Sequence, residues 1–337
     1  MCVRHVGVRC DVGPLRGIGH VMRCLALAEE LQRRGLTVEF ICDAHTVPWA
    51  AGQIAARGIG VRPAVWSPAE HVELLSRYDA VVFDSYDLDA AVYPAVRSTG
   101  VPTLAIVDGD LRGAEADVLV DQNLSAELDH PVLPARSARL AGLDYVMIRD
   151  EIRALRPPEP PALRQVAVPK VFAFFGGTDA FAAGPAVTRA LVATGVPFDA
   201  TVVAPTPELA AAVAAVSAQV KVVGPTDQLA AAVREADVVI SASGTSTWEL
   251  LCLGATAGLV CVVDNQVMGY ERAIATGTAA GVGVLSDIRE DPTAAAAVLK
   301  RLLTDATERN RLAAAGWQLV DGQGRVRVAD ALLHLIS

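Results

Sequence analysis

Two clusters of small, polar and titratable residues carry the chemistry that this chain can offer. The first is Gly17-Ile18-Gly19-His20, with Arg9 and Asp11 just upstream. Glycines let a backbone approach a ligand closely. The free N–H groups that open a helix then favour an anion. An imidazole, with an ordinary pKa of about 6.5, can take a proton at neutral pH. Anion cradle plus base is the outline of an active site. An ordinary strand-to-helix turn with a surface histidine has the same spelling.

The second cluster is Ser243-Gly244-Thr245-Ser246-Thr247-Trp248-Glu249. Backbone N–H groups and hydroxyls around Gly244 can donate to a diphosphate. Glu249 falls about one helical turn after Thr245, on the same face, where a carboxylate can accept both hydroxyls of a ribose. A capping box would look alike. Gly176-Gly177-Thr178 forms another glycine turn, either a wall of a ligand cleft or a tight turn between strand and helix. Asn265-Gln266 ends an apolar run, where amides bind a sugar or pyrophosphate or simply stabilise a loop.

The elements that must position these residues alternate. Strands are expected at 6–10, 37–42, 80–84, 103–107 and 118–121, and helices at 19–34, 47–57 and 89–97. A second series has strands at 171–175, 200–203, 220–223, 238–241 and 258–263. Its helices are at 182–192, 207–216, 227–235, 247–253 and 293–303. The alternation implies α/β architecture with doubly wound parallel sheets, and ligands then sit at the carboxyl ends of the strands. Arg156-Pro157-Pro158-Glu159-Pro160-Pro161 reads as an extended linker. The expected organisation is two Rossmann-like domains, 1–155 and 166–337, facing a cleft and joined by a linker at 156–165. A final helix at 326–336 has the option of packing back on the first domain.

Composition narrows the classes. Two domains of ordinary size suit 337 residues. Hydrophobic residues make up 52% but aromatics only 5%, so Ala, Val and Leu build the cores. A net charge of −9 argues against a nucleic-acid partner, which wants a basic patch. No apolar run approaches the roughly 20 residues that span a bilayer, and the opening residues lack a signal peptide's apolar stretch, so a cytoplasmic protein is expected. The six cysteines show no metal-ligand spacing and read as reduced and buried, and no structural metal is expected. Oligomeric state is left open.

Taken in order, the motifs resemble one family over nearly the whole chain. It is the nucleotide-sugar hydrolases of the pseudaminic acid pathway and the related spore-coat polysaccharide proteins. These share the two-domain GT-B architecture with the peptidoglycan N-acetylglucosaminyltransferase. The resemblance is carried by Arg9-Cys10-Asp11, Gly17 through Ala28, Asp84-Ser85-Tyr86, Asp117 through Asn123 and Tyr145 through Arg149. It continues through Phe175-Gly176-Gly177-Thr178-Asp179, Thr245 through Glu249 and Asn265-Gln266. It implies that His20 is the catalytic histidine, activating the group that attacks an anomeric carbon. It puts Arg9, Asp11, Gly17, Gly19, Asp84, Tyr86 and Asp108 on the sugar and acceptor side. It puts Gly176, Gly177, Thr178, Ser243, Gly244, Thr245, Ser246, Glu249, Asn265 and Gln266 around the nucleotide diphosphate. It implies no metal and no cofactor.

Three departures stand out. Asp108-Gly109-Asp110 replaces two adjacent aspartates, Asp84-Ser85-Tyr86 replaces Asp-His-Tyr, and Ser243-Gly244 replaces Gly-Gly. The first two fall on the acceptor half and tilt the expectation toward transfer rather than hydrolysis. The expected function is an inverting, metal-independent glycosyltransferase that moves a sugar from a nucleotide-sugar donor to a small-molecule acceptor, in bacterial glycan or secondary-metabolite synthesis. The alternatives are a hydrolase that uses water and releases a free amino or deoxy sugar, a sugar-nucleotide epimerase, and a catalytically silent nucleotide-sugar binding protein. An NAD-dependent dehydrogenase fits poorly. The turn from Asp11 to His20 is longer than Gly-x-Gly-x-x-Gly, and Asp43 is the one acidic residue placed for a ribose after the next strand.

Overall fold

A computed structural model describes residues 4–13, 18–162 and 164–337, so Gly17 lies outside the described residues. The chain forms two units, Met1–Asp150 with Gly322–Ser337, and Glu151–Asp321.

The first unit runs β1 (His5–Cys10), α1 (Gly19–Arg33), β2 (Thr37–Ile41), α2 (Pro48–Ala56), β3 (Gly60–Arg62) and α3 (Pro68–Leu75). It continues β4 (Ala80–Asp84), α4 (Val92–Arg97), β5 (Thr103–Val107), β6 (Val118–Asp121) and β7 (Ala138–Ala141), with α5 (Asp150–Arg153) at its boundary. All seven strands are parallel, in the order β3-β2-β1-β4-β5-β6-β7. The order reverses direction between β1 and β4, and a crevice opens at the carboxyl ends there. The pleat of β1 sends Val6, Val8 and Cys10 into one core with Val21, Leu25 and Ala28 of α1. On the other face Ile41, Phe83 and Ala105 pack with Leu75 of α3 and Val92 of α4.

The second unit runs β8 (Lys170–Phe174), α6 (Ala183–Ala193), β9 (Asp199–Val203), α7 (Pro207–Val216), β10 (Lys221–Val223), α8 (Leu229–Glu235), β11 (Val238–Ala242) and α9 (Ser246–Leu253). It continues β12 (Ala257–Cys261), α10 (Val267–Ala275), β13 (Ala280–Val284), α11 (Leu285–Glu290), α12 (Thr293–Thr304) and α13 (Ala306–Leu319). Its six strands are parallel in the order β10-β9-β8-β11-β12-β13, with the reversal between β8 and β11. Residues 156–161 belong to this unit. Trp317 Nε1 donates to the Pro157 carbonyl at 2.9 Å, and the Arg156 guanidinium lies 4.2 Å from the Trp317 ring centre. These contacts hold the Pro-rich stretch against α13.

The last helix, α14 (Gly324–Leu335), returns to the first unit. Val328, Ala329 and Leu332 enter the α1 core. Arg325 is fully buried, donates to Glu29 at 2.7 Å and pairs with Asp150. Gly324 sits against the backbone of Val146 so closely that a Cβ would collide with it. Backbone cannot yield as a side chain tip can, so Gly324→Ala should cost about 1–3 kcal/mol. A urea midpoint equal to that of the wild-type protein would count against this docking.

Several elements had no periodic signal. β3 has three residues, all exposed, and β7 is a four-residue edge strand. β13 is Ala-Gly-Val-Gly-Val, too poor in side chains to read as a strand. The helix expected at 89–97 begins at Val92. No described helix is long and apolar enough to cross a membrane.

Candidate active site

The carboxyl ends of β1, β4 and β5 bring Asp11, Asp84 and Asp108 to the crevice of the first unit, and α1 delivers His20 and Arg23 to the same place. The two helical residues are three apart and therefore share a face. His20 Nδ1 lies 2.7 Å from Asp84 Oδ1. Arg23 grips Asp84 with Nε and Nη2, both at 2.6 Å, and Asp108 with Nη1 and Nη2, both at 2.9 Å. Both hydrogens of Nη2 are thus committed to carboxylates. Its 3.2 Å approach to His20 Nδ1 is not a donated bond. Nδ1 must carry the ring proton and give it to Asp84, which leaves Nε2 with the lone pair.

Burial opposes the charge on Asp84, but Arg23 and then His20 outweigh it and hold the carboxyl below its ordinary value. Asp108 is also opposed by burial, and Arg23 and the Tyr86 hydroxyl hold it well below that value. Tyr86 is pushed the other way, by burial and by the Asp108 charge, so it stays a phenol and donates to Asp108. Its ring also meets His20 edge-on, with centroids 4.5 Å apart, and Arg112 covers it at 4.2 Å. Asp11 accepts from Ser85 Oγ at 2.8 Å and from the Tyr86 backbone at 2.8 Å, which fixes the turn after β4. Asn123 Nδ2 bridges Asp108 and Asp121 at 3.0 and 2.9 Å.

The sign of the acid response follows. Depressed carboxyls contribute stability that is full above their ordinary value of about 3.8 and is lost as pH falls through the lower folded values. The stability advantage of the wild-type protein over Asp108→Asn should be constant from pH 7 to about 5 and shrink below about pH 4. Urea midpoints at pH 7, 5 and 3 check this, and an advantage that grows in acid contradicts it.

Asp84 has no exposed side chain, and its oxygens are taken by His20, Arg23 and Cys24. Arg9 and Asp11 are also buried, at 1% and 5%. Gly19 is the first residue of α1 and half-buried. Asp108 and Tyr86 reach the surface of the cluster. Arg23, Ser85 and Asn123 were not among the expected site residues. The spacing from His20 was the available signal for Arg23.

In the second unit the reversal between β8 and β11 places two turns side by side, at 175–178 and 243–246. They differ in one decisive way. The start of α6 is closed by Asp179, which accepts from Ala183 N at 2.8 Å and Gly184 N at 3.1 Å. Burial raises the Asp179 pKa, and those two N–H groups oppose the rise. The Thr245 side chain at the N-cap of α9 makes no cap hydrogen bond, and Ser246 and Glu249 lie in the first turn of that helix. At α6 an anion would meet a carboxylate, whereas at α9 the N–H groups of Thr247 and Trp248 donate to the Gly244 and Thr245 carbonyls at 2.9 and 3.2 Å. Gly176 has a φ of +73°, suited to glycine, and it and Gly177 are exposed, while Thr178 is half-buried. Gln266 Oε1 accepts from Val262 N at 3.0 Å, which turns its Nε2 toward Gly244. Asn265 is exposed beside it.

No family model matches the chain, and no curated protein matches it. Solved structures do. MurG of Acinetobacter baumannii superimposes with a TM-score of 0.68 at 17% identity, over 98% of this chain and 99% of that one. The fold is GT-B. The glycotransferase of kitacinnamycin gives 0.67 at 15% identity over the whole of both chains. MnaA of S. aureus, solved with UDP, gives 0.67 at 11% identity over 99% and 98%.

Proposed function

We propose that this GT-B chain is a glycosyltransferase that takes a nucleotide-diphosphate sugar as donor and inverts its anomeric carbon without a metal. The observation that carries the reading is the chain Asp108–Arg23–Asp84–His20. With His20 neutral, two carboxylates and one guanidinium leave one net negative charge behind the imidazole. Proton uptake at Nε2 neutralises the cluster, which is what a general base needs. His20 deprotonates the acceptor hydroxyl as it attacks the anomeric carbon and displaces the diphosphate, and the turn at Ser243 through Ser246 offers hydroxyls and backbone N–H groups that suit a diphosphate. Glu249 holds the ribose, and Gln266 and Asn265 hold the sugar or phosphates. Two of the similar structures support the donor class, one described as a glycotransferase and one solved with UDP.

The experiment is a panel of UDP-, ADP-, GDP- and TDP-sugars, with and without candidate acceptor alcohols, read by mass spectrometry. A glycoside formed only with an acceptor supports the reading. Free reducing sugar in both arms replaces it with the hydrolase, and an isomerised nucleotide sugar replaces it with the epimerase. Binding without any turnover leaves a silent sugar-nucleotide binder.

A further inference from the structure

The pleat of β1 turns Arg9 away from α1 and toward the α3 face of the sheet. Its Nη1 donates to the Cys10 carbonyl at 3.0 Å and to Asp11 at 3.2 Å. Nε and Nη2 are buried and have no hydrogen-bond partner among the described residues. These two nitrogens form one edge of the guanidinium, the edge that matches both oxygens of a carboxylate. Arg23 uses the same edge on Asp84 in the same unit. A buried charged donor left unpaired is costly, so the open edge of Arg9 calls for an acceptor.

Its surroundings restrict what that acceptor is. The Trp66 ring lies over the guanidinium at 4.9 Å and is 55% exposed, so it is a cover whose outer face meets solvent. Trp66 follows β3, at the carboxyl end of the sheet. His71 of α3 is fully buried. Its Nδ1 is 2.8 Å from the Ser67 carbonyl and therefore carries the proton. Its Nε2 is then a bare acceptor, and it too has no partner among the described residues. Burial first, and the Arg9 charge after it, keep the ring neutral. A forked donor beneath an aromatic ring, with a lone acceptor near enough to feel its charge, suits a single chemistry, a carboxylate that also carries a hydroxyl.

We propose that Arg9, His71 and Trp66 form a subsite for a hydroxylated carboxylate, with the carboxylate on the Arg9 edge and the hydroxyl donating to His71 Nε2. The subsite rests on the reading of the first unit as the acceptor side, and it makes the acceptor a hydroxy acid or a sugar acid. Trp66 swings aside to admit it and closes over it.

The test titrates the full chain with glycolate, acetate, glycolamide and inorganic phosphate. The Arg9 Nε–H is followed by ¹⁵N NMR and the Trp66 indole by fluorescence, with Trp66→Phe to assign the indole. Glycolate is expected to shift the Arg9 Nε–H and to bind more tightly than acetate or phosphate, and glycolamide is expected to do neither. Arg9→Lys keeps the charge but not the fork, and should weaken glycolate binding by about 10- to 100-fold. If that variant fails to fold, the Nε–H shift in the wild-type protein decides alone. Equal responses to glycolate and glycolamide, tighter binding of phosphate, or an unmoved Arg9 Nε–H overturn the proposal. The two readings fail separately. Glycolate binding in a chain that consumes no nucleotide sugar retains the subsite and ends the glycosyltransferase reading. Equal transfer to acceptors with and without a carboxylate ends the subsite alone.

Discussion

Asp84→Asn should lower kcat by about 10³- to 10⁴-fold while the KM for the nucleotide sugar changes by no more than a few-fold. The magnitude is that of a buried aspartate that sets a histidine's tautomer. Asparagine presents an amide where His20 Nδ1 now meets a carboxylate at 2.7 Å. The ring loses the partner that keeps the proton on Nδ1, and with it the counter-charge for the imidazolium. The KM should stay because the groups proposed for the diphosphate lie on the second unit, at Ser243 through Ser246. The variant should also fold. Arg23 and Asp108 remain as a neutral pair at 2.9 Å, so no buried charge is stranded. His20→Ala should cost about 10²- to 10⁴-fold. Combining the two changes should add little, because they remove one device. Steady-state kinetics on the three variants decide the matter. A kcat for Asp84→Asn within a few-fold of the wild-type value, or fully additive losses, would show that His20 is not the base.

The sequence made some of this site legible. His20 and the strand that ends at Asp84 could both be seen, since one lies at a glycine-marked turn and the other closes an apolar run. Their contact could not, because 64 positions separate them and only the order β1-β4-β5 places them together. A carboxylate at the end of a strand reads as a ligand for a sugar, yet His20, Arg23 and Cys24 of α1 take the oxygens of this one. Asp108 and Asn123 meet through the β5–β6 register, in which Val107 pairs with Asp121. No local pattern carries that information. At α9 a capping box and an anion site have the same spelling, and in the fold the Thr245 side chain makes no cap hydrogen bond. Gly324 and Arg325 gave no signal, since a glycine against a distant backbone and a buried arginine are defined only by their partners.

Arg23→Met should be the most destabilising substitution in the first unit, at about 3–5 kcal/mol. Methionine fills much of the volume, so packing is not the main loss. Arg23 is 4% exposed and is the cation shared by Asp84 and Asp108. Without it the cluster changes from one net negative charge to two, with Asp84 fully and Asp108 largely out of water, against a total stability of about 5–15 kcal/mol for a typical domain. The response to pH should also reverse sign. In the wild-type protein the two carboxyls titrate below their ordinary value, and acid removes stability. In the variant, burial and mutual repulsion raise both carboxyls above that value. A carboxyl whose folded pKa is raised destabilises when ionised, and lowering the pH from 7 toward about 5 should then recover stability by protonating it. Arg23→Lys, which restores the charge but not the double fork, should fall between the two at pH 7. Urea unfolding of the three proteins at pH 7 and pH 5 measures both effects. A variant that loses less than about 1 kcal/mol at pH 7, within the range of exposed ion pairs, or that weakens further at pH 5, would mean that Arg23 does not hold the two carboxylates together.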